Sequence, residues 1–215
     1  MSSMPVGLSR DLPPKRVMRA NVGGQDLVVW RATNGEIAAW DNRCPHRGMA
    51  LSHGFVRGNS LACLYHGWHY GQSGVCNYIP AHPDLEPPAT ICTKPFSVLE
   101  SDGVIWVSTD GATKLPLLPQ GLEPLRVFIA EALPDQVRRA AGDVAFAGQG
   151  AEVTDAGVYR FGAVSVMLLL NPLQDVRTQV TVLATPGIPV AQRSALSRWC
   201  EAMRRRAELQ QEAAG

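Results

Sequence analysis

No histidine lies outside residues 46–82, and the charges nearly cancel, with 20 Lys and Arg against 19 Asp and Glu for a net charge of +1. A near-neutral chain has no broad basic field, which argues against an extended nucleic-acid surface. Met1 to Arg19 mixes proline with charge and contains no apolar core, so it predicts neither a signal peptide nor a membrane anchor, and a cytoplasmic location is expected. Also missing are the Walker phosphate loop, the Gly-x-Gly-x-x-Gly fingerprint, the Gly-x-Ser-x-Gly elbow and the His-Glu-x-x-His helix motif. Nicotinamide or flavin binding within the chain is therefore not expected, and electrons for any redox step must arrive from a separate protein. Cysteine is sparse, five in 215 residues, too few for a disulfide framework.

Against this background two short motifs stand out. Cys44-Pro45-His46 and Cys63-Leu64-Tyr65-His66 each offer one thiol and one imidazole, and sixteen residues separate His46 from Cys63. That gap is long enough for the chain to leave a site, run through a hairpin and return with the second pair. Two thiolates and two imidazoles are the ligands of a Rieske [2Fe–2S] centre, in which the cysteines hold one iron and the histidines the other. Tetrahedral zinc uses the same atoms and is the alternative, although zinc fingers usually group cysteine with cysteine and histidine with histidine. Cys44, His46, Cys63 and His66 are the candidate cluster ligands; Cys76, Cys92 and Cys200 remain as buried or idle thiols.

The flanking residues sharpen this reading. Cys44-Pro45-His46-Arg47-Gly48, Leu51-Ser52-His53-Gly54 and Cys63-Leu64-Tyr65-His66-Gly67-Trp68 closely resemble the Rieske domain of the ring-hydroxylating (Rieske non-haem iron) oxygenases. The resemblance runs from about Val17 to Val107. Respiratory-complex Rieske proteins carry an extra cysteine in each loop and a serine and a tyrosine near the cluster. Here Met49 and Tyr65 fill the cysteine positions, Trp68 replaces the serine and Tyr70 keeps the phenol. Loss of a hydrogen-bond donor to the cluster lowers its potential, which predicts the low-potential, oxygenase-type branch. The resemblance further implies a reductase or ferredoxin as electron donor and a mononuclear-iron oxygenase as acceptor. It also implies a homo-oligomer, since members of the family are often trimers in which one subunit's Rieske domain serves its neighbour's iron.

The expected fold class is α+β. A mainly antiparallel β domain over residues 15–108 precedes a small α+β unit over residues 115–215, an abbreviated helix-grip-like arrangement with a long C-terminal helix. Asp26-Leu27-Val28-Val29-Trp30-Arg31 and Glu36-Ile37-Ala38-Ala39-Trp40-Asp41 flank Asn34-Gly35, a strong hairpin signal. Phe96 to Glu100 and Gly103 to Val107 repeat the device around Ser101-Asp102. Pro80 to Pro95 is proline-rich and expected to be extended, covering the cluster. After a polar break at Thr109 to Lys114, Leu122 to Ala140 carries mixed helical signals, and Gly157 to Leu170 and Val176 to Ala184 read as strands. Leu196, Trp199, Cys200, Met203 and Ala207 form one helical stripe, with Arg204-Arg205-Arg206 as a solvated face.

A catalytic oxygenase subunit also needs a ferrous site of two histidines and a carboxylate, which the family draws from its C-terminal domain. No histidine follows His82, and Asn171-Pro172-Leu173-Gln174-Asp175 reads as a turn. The other three histidines fit a second metal poorly: His53 is expected to be exposed or to support the site, His69 to face outward on a strand, and His82 to lie on the proline-rich loop. Three functions follow. The first is a Rieske electron-transfer protein or subunit; the second is a complete oxygenase with an unrecognised iron site; the third is a cluster-based redox sensor or assembly subunit.

Overall fold

A computed structural model describes residues 3–111, 114–155 and 157–213. It divides into two compact units, Met1–Leu115 and Pro116–Gly215. The polar break expected at Thr109 to Lys114 includes Ala112 and Thr113, which lie outside the described residues.

The strands of the first unit are Met4–Leu8 (β1), Val17–Val22 (β2), Gln25–Arg31 (β3), Ile37–Asp41 (β4), Phe55–Arg57 (β5), Ser60–Ala62 (β6), His69–Tyr70 (β7), Cys76–Tyr78 (β8), Pro95–Ser101 (β9) and Val104–Ser108 (β10). They form an antiparallel six-stranded sheet in the order β1-β10-β9-β4-β3-β2 and a small antiparallel sheet in the order β5-β6-β7-β8. Both hairpins expected from sequence are present. Gly35 at φ 91°, and Asp102 and Gly103 at φ 53° and 72°, supply the left-handed turn residues such hairpins need.

Strand β3 is apolar without alternation because it is buried on both faces. Leu27 and Val29 join Val6, Val22, Ile105 and Val107 on one side. Val28 and Trp30 join Trp40, Leu51, Leu61, Tyr70, Cys44 and Cys63 on the other. Trp30 and Trp40 meet edge to face, 5.1 Å between ring centroids, and neither is exposed. At about 25 cal/mol per Å² and roughly 150–250 Å² per ring, each contributes about 4–6 kcal/mol as an upper bound. This second core continues into the small sheet and carries both candidate ligand cysteines.

Two features of this unit depart from the sequence reading. Residues 4–8 form β1, an edge strand pairing with β10, although Pro5 and Gly7 disguise it; a bulge between them absorbs the irregularity. Residues 80–94 are a series of turns, not an extended segment: the N–H groups of His82, Leu85 and Ile91 donate to the carbonyls of Ile79, His82 and Pro88. Proline fixes φ but leaves the intervening residues free to turn.

In the second unit, Glu123–Ala130 (β11), Glu152–Val153 (β12), Val158–Phe161 (β13), Val164–Pro172 (β14) and Thr178–Ala184 (β15) form a sheet in the order β11-β15-β14-β13-β12. Helices Pro134–Asp143 (α1) and Val190–Glu212 (α2) complete it. The mixed helical reading of Leu122 to Ala140 is corrected here: residues 123–130 are a strand, because pairing with β15 outweighs local propensity, and the helix begins only at Pro134. The Gln136 side chain accepts the Leu133 N–H at 2.8 Å and closes the helix start. The α2 stripe is as expected, with Leu196, Trp199, Cys200, Met203 and Ala207 buried. Trp199 donates its indole N–H to the Val144 carbonyl at 2.8 Å, and burial pushes the Cys200 thiol up to about 12. Arg204 and Arg205 are held by Glu201 and Glu208 along the solvated face. Asp175 and Val176 both have positive φ at the turn after β14.

One ion pair ties the first unit together at the end of β3. The Arg31 guanidinium donates to both carboxylate oxygens of Glu100 on β9, to the Leu12 carbonyl at 2.6 Å and to the Gly35 carbonyl at 3.0 Å. Hydrogen bonding from Arg31 holds the Glu100 carboxyl below the usual carboxylate range, and its partial burial opposes this only in part. A carboxyl depressed in the folded state stabilises the fold fully above its unfolded value near 4.5, and loses that contribution as pH falls through the lower folded value. Glu100→Gln is therefore expected to cost about 1.5–3 kcal/mol near neutrality, the range for a charged hydrogen bond. Thermal unfolding from pH 7 down to pH 3 should show the gap to the parent narrowing only in the acid range. A gap that stays constant to pH 3 would contradict the assignment.

Candidate metal centre

The two candidate loops share one backbone frame. In the first, the Cys44 N–H donates to the Met49 carbonyl at 2.8 Å and the Gly48 N–H to the Cys44 carbonyl at 2.8 Å. In the second, the Cys63 N–H donates to the Trp68 carbonyl at 2.9 Å and the Gly67 N–H to the Cys63 carbonyl at 3.0 Å. Each loop thus closes on its cysteine with glycine four residues on, at φ 73° and 68°. A Cβ on Gly67 would also come within 3.1 Å of the Pro80 ring, so the second loop lies directly against the proline-rich segment. The first loop leaves β4 and the second joins β6 to β7, which delivers both to the second core of the unit.

The side chains divide by depth. Cys44 and Cys63 are 2% exposed, His46 is half-buried and His66 is exposed. The imidazole rings meet edge to face with centroids 4.6 Å apart. Trp68 stacks flat on His46 at 4.1 Å with an interplanar angle of 5°, and Tyr65 stacks on His66 at 3.8 Å. Trp68 thus packs its ring against an imidazole. Among the described residues no three His, Cys, Asp or Glu side chains gather around a single ion position. A two-iron centre asks only for a pair on each metal.

Electrostatics suit metal ligation. Burial, then the neighbouring His66 and Arg47, hold the His46 imidazole below its ordinary value, which favours the neutral form that binds metal. Burial pushes the Cys63 thiol up, while the backbone N–H groups of Tyr65 and His66 that point at its sulfur pull it down. Those N–H groups are in place to steady a metal-bound thiolate. The Tyr70 hydroxyl lies 3.1 Å from the Cys44 sulfur, and burial, reinforced by that contact, pushes its own proton loss far upward. It remains a donor when Cys44 carries negative charge.

The first loop has a buttress that sequence reading missed. The Asn42 side chain accepts the Ser52 N–H at 2.7 Å and donates to Asp26 at 3.0 Å. Nothing about Asn42 distinguishes it in sequence from an ordinary turn residue; its role depends on β3 lying alongside. His53 and His82 are exposed, and His69 on β7 packs its ring 5.0 Å from that of Tyr78. Cys76 is a buried thiol and Cys92 an exposed one, both unbridged.

A family model described as the Rieske [2Fe-2S] domain matches residues 2–111. The chain belongs to this family. The Rieske domain binds a [2Fe–2S] cluster, and the buried sulfur pair beneath a more exposed imidazole pair is a donor set that fits it. The chain is similar to the oxidoreductase NdmD of Pseudomonas putida, 43% identical over 105 residues that cover 48% of this chain and 18% of that one. It is also similar to the 4beta-methylsterol monooxygenase of Methylococcus capsulatus, 39% identical over 119 residues covering 51% and 31%. The matched part thus spans less than a third of either relative. Among solved structures, apo dicamba monooxygenase has a TM-score of 0.76 over 99% of this chain and 85% of its own at 16% identity. NdmA of Pseudomonas putida CBB5 has a TM-score of 0.71 over 94% and 78% at 20% identity. At these identities the likeness is one of fold, and it extends beyond the Rieske domain.

With Cys44 as a cluster ligand, the Tyr70 contact would set a measurable property of the centre. A donor to a cluster-bound sulfur favours the more negative, reduced form and raises the potential. At about 0.5–1.5 kcal/mol for one hydrogen bond, and 59 mV per tenfold for one electron, Tyr70→Phe is expected to lower the potential by about 20–60 mV. Redox titration of parent and variant, followed by visible circular dichroism, would detect it. An unchanged or raised potential would remove Tyr70 from that role.

Proposed function

We propose that this chain is a Rieske electron-transfer protein or subunit, with Cys44, His46, Cys63 and His66 as the cluster ligands. In this reading it takes electrons from a reductase or ferredoxin and passes them to a mononuclear-iron oxygenase on another polypeptide. The observation that carries the reading is the depth of the four side chains, two sulfurs in the core and two imidazoles at the surface. When bound, the cluster supplies one-electron transfer at the edge of the protein. Cys44 and Cys63 anchor it from the buried side, and Tyr70 holds its proton toward the Cys44 sulfur. Trp68 and Tyr65 fix the planes of His46 and His66 by stacking, and the segment at Pro80 packs on the second loop to limit water there. A cytoplasmic setting agrees with partners of this kind, and among the described residues no helix is long and apolar enough to cross a membrane.

Support for an acceptor on another chain comes from the distribution of histidine. None follows His82, so the second unit has no imidazole for a two-histidine, one-carboxylate iron site. Its helix stripe at Leu196, Trp199 and Met203 packs a core. The complete-oxygenase reading is favoured by one observation, the fold shared with dicamba monooxygenase over 99% of the chain. The metal count separates the two.

The purified chain is expected to hold two irons and two acid-labile sulfides. Its reduced form should give a Rieske paramagnetic resonance spectrum that Cys44→Ser and Cys63→Ser abolish. Survival of that spectrum in both variants would remove the ligand assignment. The potential is expected near the low end of the Rieske range, about −150 mV, and a value near +300 mV would contradict it. Supplied with a reductase, oxygen and aromatic substrates, the chain alone is expected to yield no hydroxylated product. Product formation together with a third iron per chain would instead establish the complete oxygenase.

A further inference from the structure

The cluster-binding segment has an unusual charge composition. From Asn42 to Pro83 there is no aspartate or glutamate, while Arg43, Arg47 and Arg57 are present. The rest of the chain balances seventeen Lys and Arg against nineteen Asp and Glu, so the positive charge is concentrated in this one segment. The three arginines are exposed. Elsewhere arginines such as Arg19, Arg31 and Arg204 are paired with carboxylates, but among the described residues no carboxylate pairs with Arg43, Arg47 or Arg57. Nor does the cofactor consume the charge. Two thiolates and two neutral imidazoles leave a Rieske centre without net charge when oxidised and with a single negative charge when reduced.

The two nearer arginines belong to the loop of His46, whose ring meets that of the exposed His66 at 4.6 Å. Arg47 follows His46 and acts on it electrostatically, and the Arg43 side chain lies over Gly48, 3.4 Å from where a Cβ would stand. On the other loop Leu64 and Tyr65 are 52% and 61% exposed, with Tyr65 stacked on His66. Exposed apolar side chains on one loop and unpaired cations on the loop that meets it suit a surface that meets a partner of opposite charge.

We propose that this rim, formed by Arg43, Arg47, Leu64, Tyr65 and His66, is the docking site for an acidic electron-transfer protein with carboxylates around its own redox centre. The proposal rests on the Rieske electron-transfer reading and names the donor within it. Arg43 and Arg47 steer the encounter, and Leu64 and Tyr65 supply the contact that excludes water above His66. One electron leaves the reduced donor and enters the cluster, with no bond made or broken.

The test mixes the cluster-loaded full chain with a reduced, strongly acidic plant-type [2Fe–2S] ferredoxin in a stopped-flow instrument. The second-order rate constant is expected to fall at least about tenfold between low ionic strength and 0.5 M salt, since a screened field no longer steers. At low ionic strength the Arg43→Gln/Arg47→Gln variant should react about tenfold more slowly than the parent. A paramagnetic resonance signal and continued reduction by photoreduced deazaflavin in that variant should show that its cluster is still in place and reducible. A rate indifferent to both salt and the substitutions, with the cluster signal intact, would overturn the docking site and leave the Rieske reading standing. If the double variant loses its cluster, the salt dependence of the parent decides alone. A parent with no Rieske signal would overturn the reading itself and the docking site with it.

Discussion

Everything in the first unit answers to one demand: two short loops must place sulfur inside a core and imidazole at its surface within three residues of each other. A loop whose side chains all point one way fails. The shared frame meets the demand by folding each loop back on its cysteine, with glycine at the only left-handed position, so that the cysteine points down and the histidine lies across the top. The core beneath then has to accept polarisable, hydrogen-bonded sulfur among tryptophans. It does so by lining that face of β3 and β4 with Trp30 and Trp40 and bringing the Tyr70 hydroxyl up to the Cys44 sulfur. Stability and redox tuning thus share the same side chains.

The arrangement of the second unit is ordinary by comparison. A sheet backed by α1 and α2 buries an aromatic group of Phe146, Phe161, Tyr159 and Trp199, with the tryptophan N–H and tyrosine hydroxyl satisfied by backbone carbonyls. In that core the polar atoms of Trp199 and Tyr159 are directed at the backbone. In the first unit the Tyr70 hydroxyl instead faces the sulfur of a candidate ligand.

Much of this was legible in the residues. The candidate ligands, both hairpins of the first unit and the buried stripe of α2 follow from patterns a few residues long, where local chemistry and final structure ask for the same side chains. What was not legible depends on distant partners. β1 is hidden by Pro5 and Gly7 until β10 pairs with it, and residues 123–130 become a strand only against β15. Asn42 gains its role from Asp26 and Ser52, and Trp68 from the ring of His46 on the other loop. Spacing along a chain does not encode which ring will lie flat on which.

The two loops are supported from opposite directions, the first by Asn42 beneath it and the second by Pro80 against its glycine. Under the proposed ligation each loop contributes to both irons, since cysteine and histidine from one loop go to different metals. Disturbing either support therefore weakens both irons at once, and there is no half-assembled centre in which one metal is secure while the other is free. Under that ligation the cofactor is installed or lost as a whole, and damage at Pro80 reaches the same endpoint as damage at Asn42.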